Sequence, residues 1–105
     1  MSRIAIIVLK PNKGCYDRLK TFLKKSISTL QQLGIATHRE QIVVESEDGT
    51  LIQIFEWASE SSQGSAAEHA EVRDLWMEAE RLSEFLKPCE VKEFNEKFPS
   101  FKIVI

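Results

Sequence analysis

The chain has 105 residues, 43% of them hydrophobic and 29% charged, with a formal net charge of −2. That length suits one domain over residues 1–105 and is too short for two. The composition excludes a disordered chain, and the acidic balance argues against a nucleic-acid partner, which would call for a basic patch.

Residues 3–9 (RIAIIVL) are a β-branched run closed by Lys10-Pro11-Asn12, which predicts a first strand. Both of its faces are apolar, Ile4, Ile6 and Val8 on one and Ala5, Ile7 and Leu9 on the other, so burial on both sides is expected. The apolar stretch Ile4–Leu9 is six residues long. A signal-peptide core is longer and a membrane span needs about twenty, so no membrane partner and a cytoplasmic location are expected. A helix is predicted from about Cys15 to Leu33, because Leu19, Phe22, Leu23, Ser26, Ile27, Leu30 and Leu33 draw one stripe at spacings of three and four. Gly34 ends it as a left-handed C′ residue, and Ile35 folds back on the last turn.

Residues 41–46 (QIVVES) and 51–58 (LIQIFEWA) flank Glu47-Asp48-Gly49-Thr50, which reads as a hairpin whose two central residues tolerate positive φ. The second of these strands has two faces, Leu51, Gln53, Phe55, Trp57 and Ile52, Ile54, Glu56, Ala58. Ser59–Gly64 is a small polar loop. Ser65 and Glu68 have capping-box spacing, so a helix from Ala66 to about Ser83 is expected, with Val72, Leu75, Trp76, Ala79 and Leu82 on one side. Lys87-Pro88 closes that segment. Residues 89–94 (CEVKEF) are a short strand candidate, and residues 101–105 (FKIVI) a last strand or an extended tail.

The order β-α-β-β-α-β predicts an α+β fold, a ferredoxin-like antiparallel sheet with two helices on one face. Its other face is then too apolar to meet water, and a second copy of the chain is the simplest cover, as a two-fold homodimer. Burial of roughly 800 Å² per partner at about 25 cal/mol/Å² gives on the order of 20 kcal/mol, against an association cost of about 4–15 kcal/mol.

The stretch Asp48-Gly49-Thr50-Leu51-Ile52-Gln53-Ile54-Phe55-Glu56-Trp57, followed by a small loop, His69 and a helix with Leu75-Trp76, resembles the dimeric α/β-barrel superfamily, and within it antibiotic-biosynthesis-monooxygenase-like small bacterial proteins. The resemblance implies a dimer whose sheets close into a barrel, with a pocket between each sheet and its helices. It also implies cofactor-independent oxygenation of a small aromatic or apolar molecule. Haem-degrading members combine an Asn, a helix His and a Trp. His69 and Trp76 fit two of these roles, but Asn12 and Asn95 do not fit the third, a departure that puts haem chemistry in doubt.

Read from the residues, His69 shares a helix side with Val72 and Trp76, where an imidazole at the edge of an apolar stripe serves as a base or orients a phenol. The bland alternative is a half-solvated first-turn His. Trp76 and Trp57 suit an aromatic ligand, or else pack the core between helix and strand. Glu56 matters if its strand face is covered, with Arg39 or Arg73 as partner. Tyr16 begins the first helix, where it either reaches a cleft or packs, and Cys15 at the same helix start has no base partner to make it a nucleophile. Two distant cysteines without a secretory signal read as free thiols, and no metal-ligand spacing is present. The two functions to separate are a monooxygenase-like enzyme without metal or bound cofactor and a non-catalytic dimeric module that binds a ligand or a partner. An open apolar cavity with His69 or Glu56 pointing into it marks the enzyme, and a filled interior marks the module.

Overall fold

In the computed structural model, which describes residues 3–105 with the side chain of Gln63 aside, strand β1 spans Arg3–Pro11 and helix α1 spans Tyr16–Gln32. Strands β2 (Ile42–Glu45) and β3 (Leu51–Trp57) follow as a hairpin. A one-turn helix α2 (Ser62–Ala66) precedes α3 (Ala70–Leu82), which runs straight into β4 (Ser83–Leu86). Two 3-10 turns, Pro88–Glu90 and Lys92–Asn95, lead to the two-residue strand β5 (Lys102–Ile103). The five strands form one sheet in the order β4-β1-β3-β2-β5, every pairing antiparallel. The fold is therefore α+β, and among the described residues no helix is long and apolar enough to cross a membrane.

Local chemistry sets the element ends. Gly34 has φ +72°, with Ile35 N–H donating to the Leu30 carbonyl and Gly34 N–H to that of Gln31. These two bonds complete a Schellman stop. In the hairpin only Gly49 (φ +89°) is left-handed, and Asp48 keeps negative φ, contrary to the expectation for both central residues. Asp48 serves instead as an acceptor. Its carboxylate takes the Ser46 hydroxyl and the Thr50 N–H, which hold the carboxyl below its usual range.

The second half of the chain departs from expectation at three places. Ser65 does not cap the long helix. It lies inside α2 and donates to the Ser62 carbonyl, while His69, with an extended backbone, is the N-cap residue of α3. The Ser-rich run folds as a turn of helix because Ala66 is fully buried against Val72 and Trp57 and the Ser62 hydroxyl accepts the Ser59 N–H. The fourth strand is 83–86, not 89–94. Ser83 adopts an extended backbone and gives its hydroxyl to the Ala79 carbonyl at 2.7 Å. Asn12 covers the last carbonyls of α3, with its backbone N–H on Leu82 and its side-chain amide on Arg81. The carbonyls of Ala79, Arg81 and Leu82 in the last turn are thus satisfied, and the chain crosses directly into pairing with β1. Residues 89–94 fall in the 3-10 turns, where Asn95 Nδ2 donates to the Cys89 and Val91 carbonyls.

Helices α1 and α3 lie side by side on one face of the sheet. Leu9, Leu51 and Val43 pack there against Leu19, Phe22, Leu23 and Leu75, and Phe55 and Trp57 against Ile27, Leu30 and Val72. The opposite face is only half covered. Val8, Ile52 and Val44 form a cross-strand row buried beneath Val91, with Phe94 and Phe101 packed alongside. The next row, Ile6, Ile54 and Ile42, and Ile4 beyond it, are not so covered: Ile4 is 55% exposed, Ile6 50% and Ile42 47%. The expectation that both faces of the first strand are buried therefore fails for Ile4 and Ile6. The tail reaches across the row at Val8 and stops there.

Candidate functional site

A cavity of about 630 Å³ opens between the sheet and the two long helices. Ala5, Ile7, Gln53, Phe55 and Trp57 floor it on the helix-facing side of β1 and β3, and Ile4 and Ile6 border it as well, where β4 leaves the edge of β1 unpaired. Phe22, Ser26 and Leu30 of α1 form one wall, and Leu75, Trp76 and Ala79 of α3 the other. Arg3, Glu80 and Phe85 also border it and are exposed, so they stand at its opening. The space exists because Ala5 and Ala79 are short where larger residues would close the gap between layers.

Five aromatic residues line this cavity. Phe55 and Trp57 meet edge to face, with ring centroids 4.9 Å apart, a favourable arrangement for both rings. Trp57 is buried in the core, as the packing alternative held. Trp76 is 40% exposed and belongs to the wall. The inward positions of α3 are 72, 75 and 79, so position 76 flanks the stripe and does not lie in it.

Two polar side chains are set among these apolar walls. Gln53 is 4% exposed, and its Nε2 donates to Gln41 Oε1 at 2.9 Å and reaches Ser26 Oγ at 3.5 Å. Ser26 Oγ and Gln41 Nε2 both donate to the Leu23 carbonyl, at 3.0 and 3.2 Å. Neither Gln53 nor Ser26 is among the site residues expected from the sequence. The available signal was a polar residue interrupting an apolar stripe on each of two facing elements.

The other expected site residues lie elsewhere. His69 is half-buried at the start of α3, where its carbonyl accepts the Val72 and Arg73 N–H groups, and it does not border the cavity. Glu56 sits on the opposite sheet face, paired across from Ile4. It accepts the Thr37 hydroxyl at 2.9 Å and Arg39 Nε at 3.1 Å, so Arg39 is a partner of the two proposed. Tyr16 donates its hydroxyl to Glu45 Oε1, pinning the start of α1 to β2, with the Lys20 ammonium 5.3 Å from its ring centre. That hydrogen bond, with burial and the charges of Glu45 and Asp17, pushes the Tyr16 pKa up to about 12. Cys15 is buried and Cys89 exposed, and both are free. Arg18 donates to the Cys15 sulfur at 3.1 Å. Among the described residues no group of His, Cys, Asp or Glu is placed to hold a metal ion.

The arrangement can enclose a flat apolar molecule and hold it by one neutral polar contact at depth. No family model, curated protein or solved structure matches this chain.

Proposed function

We propose that the chain is a dimeric, ferredoxin-like binding protein of the α/β-barrel type that takes a small aromatic or apolar molecule into the cavity between its sheet and helices. The aromatic-lined cavity of about 630 Å³ carries this reading. Its size falls within the roughly 300–1,000 Å³ of small-molecule sites, and apolar walls with few polar groups are their usual chemistry. The strand order β4-β1-β3-β2 supports the split βαβ arrangement. The bare row of Ile4, Ile6 and Ile42 supports a second copy as the cover for the outer face.

Binding has more support than turnover. The open cavity fits an enzyme as well as a carrier, but neither His69 nor Glu56 borders it. Among the described residues, the cofactor-independent monooxygenase-like activity implied by the family resemblance has no carboxylate or imidazole at the cavity wall beyond the exposed Glu80. Titration with naphthol, followed by the indole N–H resonances of Trp57 and Trp76, tests the binding. Both are expected to move in a saturable way at micromolar to millimolar ligand. Two unmoved indoles would rule the cavity out as a ligand site.

A further inference from the structure

The polarity of the Gln53 carboxamide is set from the main chain outward. The Leu23 carbonyl can only accept. It takes protons from the Ser26 hydroxyl and from Gln41 Nε2. Gln41 therefore turns its oxygen toward Gln53, and Ser26, having given its proton away, turns its lone pairs there too. Both neighbours are acceptors, so Gln53 presents its NH₂ to them. A flipped Gln53 would set two carbonyl oxygens against each other. The usual ambiguity of amide orientation is thereby removed.

What remains is Gln53 Oε1. The residue is 96% buried, and this oxygen accepts no hydrogen bond among the described residues. Gln53 borders the cavity. Among the described residues no fully buried side-chain polar atom lacks a partner, so Oε1 is reached from the cavity, and a ligand that fills this ring-lined space must bring a donor or leave the acceptor unpaired. That ligand lies there under the reading above, on which this inference rests.

We infer that Gln53 is a specificity-determining residue whose Oε1 selects neutral molecules carrying a hydroxyl or N–H donor on an aromatic or apolar body. A carboxylate presented at the same depth meets an acceptor, with Ser26 and Gln41 already committed. It is rejected by repulsion and by loss of its hydration. An ether lacks the proton and leaves Oε1 unpaired, the situation in which sites built for a hydrogen bond discriminate most strongly.

The test compares naphthol, methoxynaphthalene and naphthoate, substituted at the same ring position, by the indole N–H titration at neutral pH. Naphthol is expected to bind at least about tenfold more tightly than either analogue, the factor that corresponds to about 1.4 kcal/mol. In Gln53→Met the preference over the ether disappears, with naphthol weakened and the ether unchanged, which separates lost hydrogen bonding from the bulk of the methyl group. If Gln53→Met does not fold, Gln41→Met frees the Gln53 amide to turn and is expected to lower the same ratio. Equal binding of naphthol and ether by the unaltered protein, tighter binding of naphthoate, or a preference that survives in Gln53→Met overturns the inference while the cavity remains a binding site. Failure of all three to bind overturns both.

Discussion

Two neighbouring rows on the outer face of the sheet are built from the same kind of residue and have opposite fates. Val8, Ile52 and Val44 are buried, whereas Ile6 and Ile42 are about half exposed and Ile54 lies between. They belong to the same three strands, one pleat repeat apart. The difference lies in what stands above them. Val91, Phe94 and Phe101, the last two with ring centroids 5.0 Å apart, roof the first row, and the tail then turns aside to add β5 at the edge of β2. β-branched composition makes a strand, and it takes a lid to make a core.

The sharpest way to break this comparison is a pair of truncations. Ile52→Ala removes fully buried volume beneath the roof and is expected to cost about 2–5 kcal/mol. Ile6→Ala, on the bare row, is expected to cost less than about 1 kcal/mol in the monomer. Urea unfolding at low protein concentration reads both, and equal losses would mean that the two rows are alike. A charge sharpens the same contrast. If a second copy covers the bare row, the unaltered protein runs at twice 12.0 kDa at micromolar concentration, and Ile6→Lys returns it to a monomer of nearly unchanged stability. A clean single-chain mass for the unaltered protein would count against the dimer.

What the sequence made legible follows from how local each signal is. The α1 stripe, the Gly34 stop and the Asp48-Gly49 hairpin are written within a few neighbouring residues, and all three elements form where the pattern puts them. β4 was not legible. Nothing near Ser83 marks a boundary, and the residue that secures the end of α3 is Asn12, at the far end of β1. The tail misled for a related reason. Residues 89–94 have strand-like composition, but the neighbouring edge of β1 is already taken by 83–86. Within the site, Trp57 was legible as a large ring alternating with Phe55 and Gln53 along β3, whereas Trp76, placed by spacing within the α3 stripe, flanks it. Glu56 could be separated from them by parity alone, since it alternates with Phe55 and Trp57 along one strand. Gln53 and Ser26 needed both elements considered together, because each looks like a minor flaw in its own stripe until the two stripes face each other.

The helix-side face carries a polar pin between layers whose pH response can be read directly. Tyr16 donates to Glu45 and holds its proton up to about 12, against 10.0 for an ordinary tyrosine. Below pH 10 both folded and unfolded chains carry that proton and the pin contributes in full. Between pH 10 and 12 the unfolded chain has released a proton that the folded chain retains, so stability falls as pH rises and the contribution is gone once the folded group also ionises. Tyr16→Phe is expected to cost about 1 kcal/mol at neutral pH, the scale of one partly exposed hydrogen bond, and to flatten this part of the pH profile. Since Tyr16 is the sole tyrosine, tyrosinate absorbance reports its ionisation directly. A midpoint near 10 in the folded protein would show that the hydroxyl is not held by Glu45, and the start of α1 would then be held to β2 by packing alone.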